Sequence, residues 1–298
     1  MNKREGPSWQ TLLDEETREL LRRLEWRGAT PFRVAASGAH VGPARGRSQE
    51  FAEHRSYVPG DDPRTLDWKV MARSDREIVR TYEEHSRLQV TLIVDSSGSM
   101  AFRGKRGPSK ITYASQLAAA LAHIFLRQGD SVSLLSYDRA LRREVETSTR
   151  DSQLTRIMKA LTRLDAGEGN GGLSQATAVS FPPGLIIPIG DFLGEGDEDA
   201  LAHLGDPKKH SLVAFQVLTE EELSFPFDET VTLRDLETYE LSEVDAARMR
   251  DGYIASLTAH LDALRSSVEG LGGELISAET RRPVAEVLVS YLGRKGGR

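Results

Sequence analysis

The 298-residue chain contains no cysteine, which excludes disulfides, thiolate zinc sites and thiol nucleophiles. It also lacks any apolar run near the roughly 18 residues that a membrane-spanning helix needs. Its first residues, MNKREGPSWQ, lack the apolar core of a secretory signal peptide. We therefore expect a cytoplasmic protein that does not insert into membranes.

No long stretch is dominated by charge of one sign. The net charge is -6, with nearly balanced charges over the first 89 residues and an acidic excess in the remainder. Nucleic-acid binding would need a basic stripe interleaved with aromatic residues, whereas the arginines before residue 88 are balanced by acids. We expect no nucleic-acid partner. A hydrophobic fraction of 39% is typical of a globular protein with a full core.

The composition divides the chain into three parts. Residues 1–30 predict an N-terminal helix, because leucines recur at helical spacing after a candidate cap at Ser8. Residues 31–87 are rich in Arg, Asp and Glu and hold too few apolar residues for a core of their own. They predict a β-containing appendage, with a strand over 77–85. Residues 88–298 form the third and largest part.

Strands and helices alternate in this third part, with an insertion near 219–245 that we expect to contain a hairpin of 231–233 with 238–241. Such alternation predicts an α/β fold with a doubly wound, mostly parallel six-stranded sheet and helices on both faces. The predicted strands are 89–94, 131–137, 143–146, 184–189, 211–218 and 274–278. The predicted helices are 110–127, 151–164, 175–179, 197–204, 244–271 and 284–292.

Polar side chains follow the first strand of this sheet at once, in the sequence VTLIVDSSGSM. Asp95, Ser97 and Ser99 then lie at the carboxyl end of a parallel strand, where open α/β sheets bind ligands. One carboxylate and two hydroxyls converging on a point suit Mg²⁺, with Mn²⁺ or Ca²⁺ as alternatives. A simpler interpretation is a helix-capping turn without metal, since Asp and Ser favour such turns.

The pattern Asp-x-Ser-x-Ser, followed by Asp191 after the fourth strand, resembles the metal-ion-dependent adhesion site of von Willebrand factor A-type domains. The resemblance implies that Asp191 faces Asp95 across one crevice and that Ser97 and Ser99 ligate the metal directly. It also implies that the metal leaves a coordination position for a carboxylate of a protein partner.

The resemblance is incomplete at one corner of that site. The family usually supplies a Thr after a Gly-Gly pair, whereas this chain has Leu173 after Gly171-Gly172. Ser174 or Thr177 would take the place of that Thr if the loop is shifted.

The block RGRSQEFAEHRSYVPGDDPRTLDWKVMARSDREIVRTYEEH, running into LIVDSSGSM, closely resembles the bacterial proteins called domain of unknown function 58. This resemblance covers about residues 30–290. It implies partnership with a MoxR-type AAA+ ATPase in chaperone-like or metal-insertion assemblies. We therefore expect a metal-dependent protein-binding adaptor without catalytic residues. The groups of the block that we expect to contact the partner are Arg45, Arg47, Arg55, Asp61, Asp62, Arg64 and Trp68.

Two other functions remain open. A metal-dependent hydrolase would need an activated water and a nearby base, although a dehalogenase-type phosphatase would carry Asp where this chain has Ser97. A metal-free scaffold would instead use the Arg-rich block as its contact surface. The basic loop 104–110 lacks the spacing of a phosphate-binding loop, and we expect it to be flexible and solvated.

Overall fold

A computed structural model of the chain describes residues 12–26, 49–57, 66–74, 78–84, 88–150, 152–167, 172–234 and 241–296. The chain divides into two units. One comprises Met1–Val34 together with Leu88–Arg298, and the other comprises Ala35–Arg87.

The first helix, α1 (Glu15–Arg22), starts later than the leucine spacing predicts. Its cap is Asp14, whose Oδ1 accepts a hydrogen bond of 2.7 Å from the backbone nitrogen of Thr17. The acidic pair Glu15 and Glu16 then lies in the first turn, where it opposes the positive end of the helix dipole. The predicted cap, Ser8, lies outside the described residues.

The smaller unit contains two antiparallel strands, β1 (Gln49–Ser56) and β2 (Ile78–Glu84), and a short helix, α2 (Trp68–Ser74). The strand predicted over 77–85 is confirmed as β2. The strand β1 and the helix α2 have no counterpart in the sequence-based prediction. Only two of the eight residues of β1 are apolar, so its sequence QEFAEHRS gives little apolar alternation.

The larger unit is built on a six-stranded sheet in which five strands are parallel and one edge strand is antiparallel. The strands of this sheet are β3 (Gln89–Asp95), β4 (Ser131–Tyr137), β5 (Leu141–Ser148), β6 (Gly184–Gly190), β7 (His210–Leu218) and β10 (Glu274–Glu279). Their order is β10-β7-β6-β3-β4-β5. The mixed α/β fold with a mostly parallel six-stranded sheet is therefore confirmed.

Helices cover both faces of this sheet, and the central strands β6 and β7 are buried along their whole length. The helices of the larger unit after α1 are α3 (Lys110–Arg127), α4 (Gln153–Leu161), α5 (Asp197–Leu204), α6 (Glu220–Ser224), α7 (Ala246–Gly270) and α8 (Val284–Gly296). One core packs α1, α3, α4 and α8 on one face of the sheet. The other core packs α5, α7 and a 3₁₀ turn, Leu173–Ala178, on the opposite face.

Most differences from the predicted elements are short. The helix predicted over 175–179 is the 3₁₀ turn Leu173–Ala178, and the five-residue α6 was not predicted. The insertion contains a hairpin of β8 (Thr230–Arg234) and β9 (Leu241–Asp245), which begins and ends within a few residues of the predicted one. None of the described helices combines the length and the apolar character that crossing a membrane requires.

The strand order defines where a ligand would bind. From β3 the chain moves to β4 on one side, and from β6 it moves to β7 on the other. The crevice at the carboxyl ends of β3 and β6 is therefore the switch point of the sheet, where open α/β folds bind ligands. Asp95 and Asp191 lie at this place.

Candidate functional site

Asp95 is the last residue of β3, and its side chain is buried. Its Oδ1 accepts a hydrogen bond of 2.8 Å from the backbone nitrogen of Ser97. Between these two residues, the backbone nitrogen and the hydroxyl of Ser96 both donate to the carbonyl of Tyr137, each at 2.8 Å. A second 3₁₀ turn, Gly98–Ala101, follows at once. These bonds fix the turn that presents the two following serines.

Asp191 follows β6 directly and is also buried. The next residue, Phe192, has a φ of +53° and a fully buried side chain, a conformation that costs free energy in a residue with a bulky side chain. Two side chains hold this loop: Gln216 Nε2 donates to the carbonyl of Asp191 at 3.1 Å, and His260 Nε2 lies 2.8 Å from the carbonyl of Phe192. Packing and these contacts together fix the direction of the Asp191 carboxylate.

A line of short contacts connects the two acids through the serines. Ser99 Oγ donates to Asp191 Oδ2 at 2.6 Å, and Ser97 Oγ lies 3.1 Å from Ser99 Oγ. Because the single proton of the Ser99 hydroxyl points to Asp191, the Ser99 oxygen remains available as an acceptor for Ser97. The structure therefore brings Asp95, Ser97, Ser99 and Asp191 together.

A lysine also belongs to this cluster. Lys110 is the first residue of α3 and is only 1% exposed. Its Nζ lies 2.8 Å from Asp191 Oδ2 and 2.6 Å from Glu222 Oε1. The prediction of a flexible, solvated loop over 104–110 is wrong at its end, because the Lys110 ammonium is buried and paired with these two carboxylates. The loop is also held at Lys105, whose backbone nitrogen donates to Glu221 Oε1 at 2.6 Å.

The sequence contains a signal for Lys110 that the sequence-based prediction missed. Residues three, four and seven positions after it, Tyr113, Ala114 and Leu117, are apolar and buried, so Lys110 lies on the buried side of α3. A lysine in such a stripe needs an acidic partner. Glu222 is visible as the third helical residue of a capping box that begins at Thr219. Nothing in the sequence shows that these two features meet.

The charges of this cluster shift the pKa values in opposite directions. Burial, and next to it the negative charge of Asp191, raises the pKa of Asp95 to about 8. Burial also acts to raise the pKa of Asp191, but the charge and hydrogen bond of Lys110 outweigh it and lower that pKa. The pKa of Lys110 is raised, because the carboxylates of Asp191 and Glu222 outweigh its burial. Asp191 is thus the ionised acid of the pair, and Asp95 is protonated near neutral pH.

The space around the Asp95 carboxyl is tight. The hydroxyl of Tyr137 is buried close to it but has no hydrogen-bond partner of standard geometry among the described residues. Burial raises the pKa of Tyr137 well above its ordinary value. A Cβ on Gly190, in the neighbouring strand, would lie 2.9 Å from Asp95 Oδ2 and 3.0 Å from the Tyr137 hydroxyl oxygen. A glycine at position 190 therefore leaves room for the carboxyl.

Gly190→Ala is expected to destabilise the protein by about 1–3 kcal/mol, because it overpacks this buried corner and displaces the Asp95 carboxyl. Urea unfolding measures the change. The matched control is Gly252→Ala within α7, where an added Cβ meets nothing within 4 Å. This substitution should stabilise the protein by about 0.5–1 kcal/mol. Equal midpoints for Gly190→Ala and the wild type would contradict the tight corner.

The residues considered for the remaining corner of the site have other contacts in the structure. Leu173 packs its side chain into the core, and its backbone nitrogen donates to Asp197 Oδ1 at 2.8 Å. Ser174 is exposed, and the hydroxyl of Thr177 donates to the carbonyl of Ser174 at 2.7 Å. Within the part of the chain that the structure describes, neither hydroxyl is hydrogen-bonded to Asp95 or Asp191. Ser174 and Thr177 therefore stay predicted alternatives for that corner of the site.

Thr177 instead lines a separate open cleft of about 500 Å³. This cleft is bordered by the end of α5 and the start of β7, and it includes Phe181, His203 and His210. None of its lining residues belongs to the cluster around Asp191.

The predicted contact residues of the Arg-rich block are only partly described. Trp68 begins α2 and is 61% exposed, as a contact residue would be. Arg55 lies in β1, for which the structure describes the backbone and not this side chain. The others, Arg45, Arg47, Asp61, Asp62 and Arg64, lie outside the described residues.

The donor set at the switch point fits a small divalent cation in its chemistry. It consists of two carboxylates and two hydroxyls, all hard oxygen ligands, and Mg²⁺ retains several waters besides such ligands. One of these carboxylates, that of Asp191, already has a cationic partner, the ammonium of Lys110. Within the described ranges, no group of three or more His, Asp or Glu side chains is arranged to hold a metal.

The larger unit thus defines a class of protein: a three-layer α/β fold with a buried cluster of acids, serines and a lysine at its switch point. A family model described as "Protein of unknown function DUF58" matches residues 53–263, so the chain belongs to this family. It is 29% identical to uncharacterized proteins of Mycobacterium bovis and Mycobacterium tuberculosis, over 95% of this chain and 92% of theirs. The resemblance to domain of unknown function 58 is confirmed.

Solved structures with partial likeness are more distant. A conserved hypothetical protein, BatB, from Bacteroides thetaiotaomicron is 15% identical with a TM-score of 0.46, covering 71% of this chain and 100% of that one. An aerotolerance-related membrane protein from Bacteroides fragilis is 12% identical with a TM-score of 0.46, covering 70% and 99%.

Proposed function

We propose that the protein is a metal-dependent protein-binding adaptor whose larger unit is a von Willebrand factor A-type domain. A divalent cation, Mg²⁺ first, would be held by Asp95, Ser97, Ser99 and Asp191. Bound there, it would supply a Lewis-acidic position for a carboxylate of the partner. The chain itself would orient the ligands and exclude bulk water.

The observation that carries this proposal is the contact between Ser99 Oγ and Asp191 Oδ2, at 2.6 Å. It joins the turn after β3 to the turn after β6, the two strands at the switch point. Ligand sites in such folds are often built there, from residues that belong to separate parts of the chain. The hard oxygens of all four side chains favour a cation such as Mg²⁺.

The burial of the site limits how a partner would approach. Asp95, Ser97 and Asp191 are at most 5% exposed, while Ser99 is partly exposed. Leu193, two residues after Asp191, is 39% exposed. A partner carboxylate would therefore enter over Ser99, beside an apolar contact at Leu193.

The partner class follows from the family resemblance. In this proposal the partner is a MoxR-type AAA+ ATPase or its client protein, and the assembly acts in chaperone-like maturation. The exposed Trp68 is the one described group of the Arg-rich block that supports a contact surface in the smaller unit.

A metal-free scaffold is the second candidate, and the contacts of Lys110 favour it. The ammonium neutralises Asp191 and hydrogen-bonds to it, so the cluster is stable as a set of internal ion pairs. In that case the partner would be held by the Arg-rich block without a cation.

Metal binding separates the two candidates. Mg²⁺ at ten times its dissociation constant should stabilise the wild type by about 1.4 kcal/mol, measured as a rise in the melting temperature. Asp95→Ala should lose this rise, whereas Glu146→Ala, which changes an exposed acid on β5, should keep it.

The same variants test the partner. A purified MoxR-type ATPase from the same organism should be retained on the immobilised protein in Mg²⁺ and released by EDTA. Asp95→Ala and Ser97→Ala should retain little in either condition. Capture that survives EDTA, with no melting shift up to 20 mM Mg²⁺, would leave the metal-free scaffold as the function.

A further inference from the structure

One oxygen atom of the cluster has two donors. Asp191 Oδ2 accepts from Ser99 Oγ at 2.6 Å and from Lys110 Nζ at 2.8 Å. From the described residues, the other carboxylate oxygen, Oδ1, receives one longer bond of 3.4 Å, which the backbone nitrogen of Leu193 donates. The positive charge of Lys110 therefore sits on the same oxygen that faces the serines.

Lys110 has a second anionic partner that is independently fixed. Glu222 Oε1 lies 2.6 Å from Nζ, while Glu222 Oε2 accepts from the backbone nitrogen and the hydroxyl of Thr219 at 2.8 and 3.0 Å. The capping box of α6 holds the Glu222 carboxylate whether or not Lys110 is bound to it. The ammonium can thus remain neutralised by Glu222 when Asp191 has another cation.

We propose that Lys110 is a tethered cation that competes with the divalent ion for Asp191 and thereby sets the metal affinity of the site. This inference rests on the proposed function, because it presupposes that the ion binds at Asp95, Ser97, Ser99 and Asp191. On metal binding, Asp191 Oδ2 exchanges the ammonium for the divalent ion, and Lys110 keeps its bond to Glu222.

The electrostatics of this exchange have a defined sign. Two cations on one carboxylate repel each other strongly in a site shielded from water. The ammonium of Lys110 therefore lowers the affinity of the site for the divalent ion. Removing the ammonium should therefore tighten metal binding. Removing the second partner, Glu222, should do the opposite, because Lys110 is then neutralised by Asp191 alone.

The first arm compares wild type and Lys110→Met by calorimetric titration with Mn²⁺ at pH 7.5. We expect Lys110→Met to bind about tenfold tighter or more. Lys105→Met is the matched control, because Lys105 lies in the same loop with an exposed side chain. It should bind Mn²⁺ as the wild type does.

The second arm does not depend on the stability of Lys110→Met. Glu222→Gln keeps the capping box, for which Gln also serves, and removes the charge that shares Lys110. Glu221→Gln removes the neighbouring carboxylate, which binds the backbone of Lys105 and not Lys110. We expect Glu222→Gln to bind Mn²⁺ several-fold more weakly than Glu221→Gln, whereas an effect of net charge alone would weaken both equally.

The outcomes separate this inference from the function on which it rests. Tighter binding by Lys110→Met with weaker binding by Glu222→Gln supports the competition. Measurable wild-type binding that Lys110→Met leaves unchanged or weakens, or equal binding by the two glutamine variants, overturns it. If neither the wild type nor Lys110→Met binds Mn²⁺, the metal site itself is refuted and the competition with it.

Discussion

Asp191→Ala is expected to lower the free energy of unfolding by about 3–5 kcal/mol, because it leaves a buried cation with one of its two anionic partners. Lys110 is 1% exposed, so water cannot replace the lost carboxylate. The hydroxyl of Ser99 loses its acceptor as well. Urea unfolding at pH 7 in EDTA measures the change without any contribution from a metal.

Two control variants are compared with Asp191→Ala. Glu146→Ala breaks an ion pair with Arg143 in which both side chains are at least 40% exposed, and it should change stability by about 0–1 kcal/mol. Asp191→Asn keeps an acceptor for Ser99 and should lie between the two. A loss below about 1 kcal/mol for Asp191→Ala would mean that the Lys110 ion pair contributes little to folding.

The contribution of Asp95 to stability is expected to fall as the pH rises from about 4 to about 8. Asp95 has a folded pKa of about 8, well above the value near 3.9 of an unfolded chain. Between these values the folded state holds a proton that the unfolded state has released, so raising the pH favours unfolding. Asp191 acts with the opposite sign, since its lowered pKa gives stability that is lost as the pH falls below about 4.

Asp95→Asn tests this slope, because the amide keeps the acceptor for Ser97 and cannot ionise. Its melting temperature in EDTA should equal that of the wild type near pH 4 and exceed it by a growing margin towards pH 8. The profile that remains combines Asp197, whose pKa burial raises, with His123 and His210, whose pKa values burial lowers and which act with the opposite sign. Parallel profiles for the two proteins would show that Asp95 ionises normally in the fold.

The fold of the larger unit was largely predictable because its signals are local and strong. The helix α3 and the strand β4 begin and end at the predicted residues. Buried parallel strands read as apolar runs bounded by small or polar residues, and helices of more than two turns show their period. The five-residue α6 is too short for either signal, although its capping box marks its start.

The candidate site was predictable only in part. Asp95, Ser97 and Ser99 are close in sequence, and the alternation of elements places Asp191 at the same edge of the sheet. Lys110 was missed because the basic composition of its loop suggested solvent, whereas its place on the apolar side of α3 decides its burial. The identity of the bound cation, the von Willebrand factor A-type assignment and the partner remain predictions.

The bonds that build the site also constrain when it can form. Ser99 and Asp191 are 92 positions apart, and Lys110 and Glu222 are 112 apart. Closing loops of this length costs chain entropy, so such contacts form late in folding. As the chain leaves the ribosome, the segment after β3 emerges long before Asp191 and Glu222. The cluster is therefore complete only when β6 and β7 have joined the sheet and α6 has formed. A ligand of the cluster then recognises the finished domain and cannot nucleate its folding.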